Sequence, residues 1–460
     1  MFTNKQEKGA QHEPMRLPTF IGGIHPPDNK ALTADKEIEV YVPRGDLVFP
    51  MSQHIGVPCT PIVKKGDRVL VGQKIADSDA FVSAPILSSV SGTVKEVGVR
   101  MTIPGTLEPC IVLESDGEFE HDVTLLPHKE YESLDPKEYL RIIREAGIVG
   151  MGGACFPTHV KLAPPPDRDI RWLIVNGAEC EPFLNCDNRL MLERPEPIIE
   201  GLKICMRLFP HAEGVIAIEN NKPESIKRLE DELSDHHGSR IRVMPHEVKY
   251  PQGAEKMLIY SVTGQQIPPG ALPADVGCII LNVRTLYHIW LAVMEGIPVV
   301  DRIISVTGDV VAKPKNILTP LGTSVQELIE LAGGFTEDPA KILSGGPMMG
   351  ISMRSTEVPV VKGTSGILAL SARSAFFSTE SHCLRCGRCI EACPMGLLPS
   401  FLDRLVRLRE YAEFEQTGGL NCIECGSCTY ICPAHRFLTQ ACRDGKAAVM
   451  AERRKKGAKQ

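Results

Sequence analysis

The chain has 460 residues, room for about three or more domains at roughly 150 residues each. Hydrophobic residues make up 43% and charged residues 23%, which fits globular folding in water, and the net charge of −6 gives no general case for a nucleic-acid partner. The most apolar stretch, around 278–300, is interrupted by Arg284, His288 and Glu295, so no membrane-spanning run of ~18 residues is expected.

Residues 1–37 are polar and punctuated by Gly22-Gly23-Ile24-His25-Pro26-Pro27, the pattern of an ordered arm rather than a domain. Residues 1–15 contain no apolar core, so a secretory signal is not expected. From 38 to 125 short β-rich runs alternate with turn signals. The stretches Val63–Ala76 and Val82–Val94 resemble the lipoyl/biotinyl barrel-sandwich fold. A carrier of that fold needs a lysine at its hairpin tip, and the corresponding residues are Asp77-Ser78-Asp79-Ala80. The module is therefore expected to be architectural.

Between 126 and 300 helical and strand patterns alternate, which predicts an α/β, Rossmann-like domain. A helix is predicted over 136–146, and strands over 172–175, 215–219 and 278–283. The charged run 222–235 reads as a solvated helix. From 301 to 372 short strands and one helix, closed by Gly333-Gly334, suggest a β-grasp module. The glycines at 345–350 lack the lysine and hydroxyl of a phosphate loop, so tight turns are expected there.

The segment 373–445 carries the strongest signal. Cys383, Cys386, Cys389 and Cys393 precede Pro394; Cys422, Cys425, Cys428 and Cys432 precede Pro433. Each half is C-x2-C-x2-C-x3-C-P, the spacing of bacterial ferredoxins with two [4Fe–4S] clusters, in which the fourth cysteine serves the other cluster. Cys383, Cys386, Cys389 and Cys432 are thus assigned to one cluster, and Cys422, Cys425, Cys428 and Cys393 to the other. Two zinc sites would gain nothing from a repeated 3+1 pattern with trailing prolines. The other eight cysteines are scattered and read as buried free thiols. Between the motifs a helix is expected to bury one face formed by Phe401, Leu402, Leu405, Leu408 and Ala412. The tail, 446–460, is basic and reads as a solvated end or a contact for anionic lipid.

Gly150, Gly152 and Gly153 let backbone N–H groups approach a phosphate, and Lys161 adds positive charge. Gly-Gly-Ala-x-Phe-Pro-Thr followed by Asn176-Gly-Ala-Glu179-Cys-Glu181-Pro182 resembles the flavin- and NADH-binding subunit of respiratory complex I. With Gly22–Pro26, Tyr250-Pro-Gln-Gly253 and both cysteine runs, the whole chain is similar to the C subunits of Rnf electron-transport complexes. The resemblance implies a multidomain α+β architecture: barrel-sandwich, FMN/NADH-binding, β-grasp (SLBB-like) and two-[4Fe–4S] domains. It implies that Gly150, Gly152, Gly153 and Lys161 hold FMN, and that Asn176 and Glu179 hydrogen-bond the flavin. Glu181 would border NAD(H), with Tyr250, Gly253, Glu255 and Asn282 lining the pocket. Ala178, Leu162 and Ala254 depart from the complex I pattern of an aspartate, an aromatic and a second glutamate. The implied role is a peripheral one on the cytoplasmic side of the inner membrane. The chain would exchange electrons between NAD(H) and the other subunits, with ferredoxin reached indirectly and no nucleic-acid partner. A microcompartment cobalamin reductase and a non-catalytic iron–sulfur wiring protein are the competing readings.

Overall fold

In the computed structural model, residues 16–234, 239–375 and 378–457 are described. A parallel four-stranded sheet lies at the centre, in the order Ile241–His246, Glu213–Glu219, Trp172–Asn176, Cys278–Asn282. Strands covered by helices on both faces read as near-continuous apolar runs, and 173–175, 215–218 and 278–281 are buried throughout. The first strand of this sheet, Trp172–Asn176, has the second and third on one side and the fourth on the other. The order of the chain therefore reverses between Trp172–Asn176 and Cys278–Asn282. In open α/β sheets ligands bind outside the carboxyl ends of strands at such a reversal. The residues there are Asn176 and Asn282, directly opposite each other in the ladder.

The barrel module pairs a four-stranded sheet with a three-stranded one, and its longest hairpin joins Gly92–Met101 to Leu107–Ser115. Its lysine-free tip is docked rather than free. Arg144 reaches Asp77, and Lys74 bridges Asp77 and Glu145, both at 2.7 Å. Both Arg144 and Glu145 lie at the end of the helix Pro136–Glu145.

A six-stranded mixed sheet forms the third module. Its edge strand is Ile38–Val40, which pairs in parallel with Lys315–Pro320. Residue 38 is expected from the sequence to open the barrel; the strand instead extends the arm across the flavin-type domain to this sheet. Asn316 anchors it by donating to the carbonyls of Thr33 and Lys36, contacts that no local pattern encodes.

The cysteine-rich lobe is an internal repeat of motif, short helix and longer helix: Arg388–Glu391 then Pro399–Arg407, and Ser427–Tyr430 then Leu438–Gly457. Leu402 and Leu405 are buried as expected, but Leu408 is exposed. The helix stops at Arg407 because Arg409 adopts a left-handed φ of 60°, and a separate helix, Tyr411–Gln416, follows. The basic tail is the end of the helix Leu438–Gly457 through residue 457, where Arg453 pairs with Glu415; 458–460 lie outside the described residues.

Candidate functional site

The loop after Val149 sits above the sheet reversal. Its carbonyls are held from below: Arg302 Nη2 donates to Met151 O at 2.8 Å, and Lys362 Nζ to Gly147 O at 2.7 Å. The Met151 N–H is taken by Thr285 Oγ1. The N–H groups of Gly152, Gly153 and Ala154 find no acceptor among the described residues, and all three residues are exposed. Successive unpaired amides of this kind can form an anion-binding concavity. Gly152 is required sterically, since a Cβ there would lie 2.6 Å from Asn282 Nδ2. That carboxamide is fixed in turn by Asp187 Oδ2 at 2.8 Å, whose other oxygen meets buried Arg284 at 2.6 Å. Lys161 Nζ bonds Glu255 Oε2 and Ile280 O, both at 2.8 Å. It keeps a third N–H for an anion at the rim.

The Asn176–Pro182 segment is more tightly engaged than its resemblance implied. Asn176 Nδ2 donates to Gly253 O at 2.8 Å, and its Oδ1 accepts from Ala178 N. Glu179, at a left-handed φ of 44°, turns its carboxylate onto the N–H groups of Asp187 and Asn188, at 2.7 and 3.0 Å. These amides open the helix Cys186–Glu193, where a negative charge is favoured. Lys222, expected in a solvated run, is buried instead. Its ammonium donates to Ala178 O at 2.6 Å and pairs with Glu219 at 3.3 Å, so it supports the same segment from behind.

Glu181 points toward the third module and the cysteine lobe. Its carboxyl accepts from the N–H groups of Met348 and Met349, at 3.1 and 2.9 Å, and Tyr250 Oη lies 3.4 Å away. The glycine turn at 345–350 thus cradles an anion of the chain itself. Burial pushes the Glu181 carboxyl up to about 7, against the pull of these donors. The folded chain therefore holds a proton that the unfolded chain has released between pH ~4.5 and ~7. Stability should fall on the order of 1–3 kcal/mol as pH rises through that window and then level off. Urea midpoints across the window should lose this slope in Glu181→Gln; an undiminished slope would place its origin elsewhere.

Tyr250 is the bridge. It is buried, and its hydroxyl donates to Cys425 O at 2.7 Å. Beside it, Gly23 N–H donates to Ala392 O, and Gly22 lies so close that a Cβ would approach Cys393 O to 2.9 Å. The arm and the flavin-type domain therefore both seat against the Cys393/Cys425 side of the lobe. Gly253, two residues past the Tyr250-Pro251 cis bond, donates its N–H to Cys180 Sγ.

The eight motif cysteines fall into two cavities. Cys393, Cys422, Cys425 and Cys428 line one; Cys383, Cys386, Cys389 and Cys432 line the other. In each, three cysteines come from one motif and the fourth from the other. Both loops place the second residue after the first cysteine in a left-handed turn, Arg385 at φ 54° and Glu424 at φ 58°. Its N–H then points at the first sulfur, at 3.4 Å in both. Four convergent sulfurs in a mostly apolar cavity fit a cubane cluster, just as the outward amides and Lys161 fit a flavin phosphate. The cavities differ in exposure: Cys425 and Cys428 are buried, whereas Cys383 and Cys386 are at the surface. Among the scattered eight, Cys59, Cys110, Cys186, Cys205, Cys278 and Cys442 are buried free thiols, with Cys155 and Cys180 half-buried.

These features define a flavin and iron–sulfur electron-transfer protein. The sequence matches the domain families described as RnfC barrel sandwich hybrid (residues 18–118), Nuo51 FMN-binding (143–291), SLBB (303–352) and 4Fe-4S dicluster (376–433). It is 47% identical over 406 residues to the C subunit of the proton-translocating ferredoxin:NAD(+) oxidoreductase complex of Clostridium ljungdahlii, covering 88% of each chain. It is 43% identical over 437 residues to the Na(+)-translocating counterpart of Acetobacterium woodii, covering 95% of this chain and 98% of that one. With the C subunit of the ion-translocating oxidoreductase complex of Rhodobacter capsulatus it shares 42% identity, over 85% of this chain and 75% of that one. The chain belongs to the RnfC family. Its cofactors are accordingly FMN and [4Fe–4S] clusters, and it is a component of an oxidoreductase complex. No helix among the described residues is long and apolar enough to cross a membrane.

Proposed function

We propose that the chain exchanges electrons between NAD(H) and partner subunits of a membrane-bound ion-translocating complex. It would do so from the cytoplasmic face, with ferredoxin served through those partners. Bound FMN supplies the exchange between two-electron and one-electron carriers, and the cubane clusters carry single electrons. The outward amides at Gly152, Gly153 and Ala154, with Gly150 shaping the loop and Lys161 at its rim, bind the flavin phosphate. Asn176 and Asn282, at the strand ends, and Gly253 border the ring. Glu179 and Glu255 orient this wall through the amides of Asp187 and Asn188 and through Lys161. Glu181 and Tyr250 close the pocket toward the cysteine lobe. Cys393, Cys422, Cys425 and Cys428 ligate the inner cluster; Cys383, Cys386, Cys389 and Cys432 ligate the outer one.

The observation that carries this reading is the Tyr250 hydroxyl on Cys425 O at 2.7 Å, which joins the flavin-type domain to the buried cavity with no solvent layer between. It supports the order flavin, buried cluster, exposed cluster, partner. The test is anaerobic reconstitution with iron, sulfide and FMN, then titration with NADH. Bleaching of the flavin absorbance is expected; an indifferent spectrum would leave the chain a passive iron–sulfur wire. Lys161→Ala should weaken FMN retention by about tenfold or more, the worth of one charge-assisted phosphate contact. Equilibrium dialysis of FMN reads this directly, and unchanged retention would remove Lys161 from the phosphate site.

A further inference from the structure

The internal repeat makes the two cavities a controlled comparison. Ser427, one residue before Cys428, corresponds to Arg388 before Cys389. Thr439 follows Cys432 at the distance at which Ser400 follows Cys393, and Cys442 corresponds in the same way to Asp403. The repeat positions are thus shared while the side chains differ.

At the buried cavity all three side chains are buried, and two of them reach a motif sulfur. Ser427 Oγ lies 3.4 Å from Cys425 Sγ, and Thr439 Oγ1 lies 3.5 Å from Cys428 Sγ. The buried Cys442 thiol packs in the same apolar cluster as Cys422 and lines the cavity as a fifth sulfur. Thr429 Oγ1 holds Thr439 in place, accepting from its N–H at 2.9 Å and lying 2.9 Å from its hydroxyl oxygen. With a thiolate at Cys428, which can only accept, the Thr439 hydroxyl is the donor of the pair. At the exposed cavity no side-chain hydroxyl or thiol bonds a motif sulfur among the described residues; Arg385 N–H on Cys383 Sγ is the hydrogen bond found there. Asp403, the counterpart of Cys442, is instead engaged by Arg407 and Arg436.

We infer that Ser427, Thr439 and Cys442 are tuning residues that raise the reduction potential of the buried cluster selectively. Reduction adds one electron, and hence one negative charge, to the cluster and its four thiolates. Burial opposes that added charge, and donors to the sulfurs favour it. The two hydroxyls and the lining thiol offset the desolvation of the inner site, so that the buried cluster stays reducible beside the flavin domain. The exposed cluster obtains the same relief from water.

This rests on the ligand sets proposed above, and the test separates the two. Thr439→Val, Ser427→Ala and Cys442→Ala are prepared anaerobically in the full chain, with iron and acid-labile sulfide measured first. EPR-monitored redox titration should then show one cluster signal harder to reduce by about tenfold per donor, ~59 mV for a one-electron couple, and the other unmoved. Thr439→Ser and Cys442→Ser, which keep a donor, should restore the wild-type value. Full iron content with both potentials unchanged would overturn the tuning role. Wild-type material without iron would overturn the ligand sets instead. Should a variant fail to load, pulsed EPR of the wild-type chain exchanged into deuterated water decides. One cluster signal must then carry strongly coupled, slowly exchanging deuterons that the other lacks, and the same coupling in both rejects the inference.

Discussion

Replacing Cys422 by alanine should remove about half of the iron and acid-labile sulfide and at the same time loosen the whole lobe. Replacing Cys383 by alanine should remove a similar share and leave the fold largely intact. The two cysteines open equivalent motifs, so chemistry alone predicts equal outcomes. Their settings differ. The Cys422 cavity is packed against Gly22, Gly23 and Tyr250 on one side. On the other lies the apolar cluster containing Leu397, Leu402, Leu405, Phe414 and Cys442. A cluster held there is part of the interior, and its binding energy is folding energy. The Cys383–Cys386 loop is exposed, so losing its cluster costs electron transfer to partners before it costs structure. Iron and sulfide analysis together with thermal unfolding of the anaerobic variants reads both quantities. Equal shifts in unfolding temperature would contradict the asymmetry.

Lys362→Met should be strongly destabilising, by about 2–5 kcal/mol. Lys362 is fully buried where three modules meet. Its ammonium donates to Pro85 O of the barrel at 2.6 Å and to Gly147 O of the flavin-type domain at 2.7 Å. Its own N–H is accepted by Gln53 Oε1. Methionine keeps much of the volume but leaves two interior carbonyls without donors, and each such loss costs about 1–3 kcal/mol. Against a total stability of roughly 5–15 kcal/mol this should be visible as a large drop in urea midpoint. Lys95→Met, which breaks only the exposed pair with Asp46 at 2.7 Å, should leave the midpoint nearly unchanged. Similar losses for the two would show that the Lys362 contacts carry no special weight.

What could be read in the sequence was what is local. Cysteine spacing, apolar strand runs and the Gly-Gly turn after Leu331 each fix their own neighbourhood, and the cavities, the parallel sheet and the helix end follow them. What could not be read depends on partners far along the chain. Glu181 borders the expected pocket, yet its amide donors are Met348 and Met349. Lys222 sits in a run of charges, and only the fold turns it inward to Ala178 O. The helix through Leu408 was expected to continue because apolar periodicity carries no warning of the left-handed Arg409. Thr439 and Cys442 lie outside any motif, and aligning the two halves of the lobe is the sequence operation that would have exposed them.

The arm has a consequence for how such a chain reaches its final form. Part of it can settle early, on the stretch Glu181–Glu193, but its other partners come late: Tyr250, Asn316, Ala392 and Cys393. Until the second half of the polypeptide has emerged, Gly22 and Gly23 have no lobe to lie against and Ile38–Val40 has no sheet to join. Contacts of such long sequence separation form slowly. The seams at Ala392 and Cys393 are thus among the last of the fold to close.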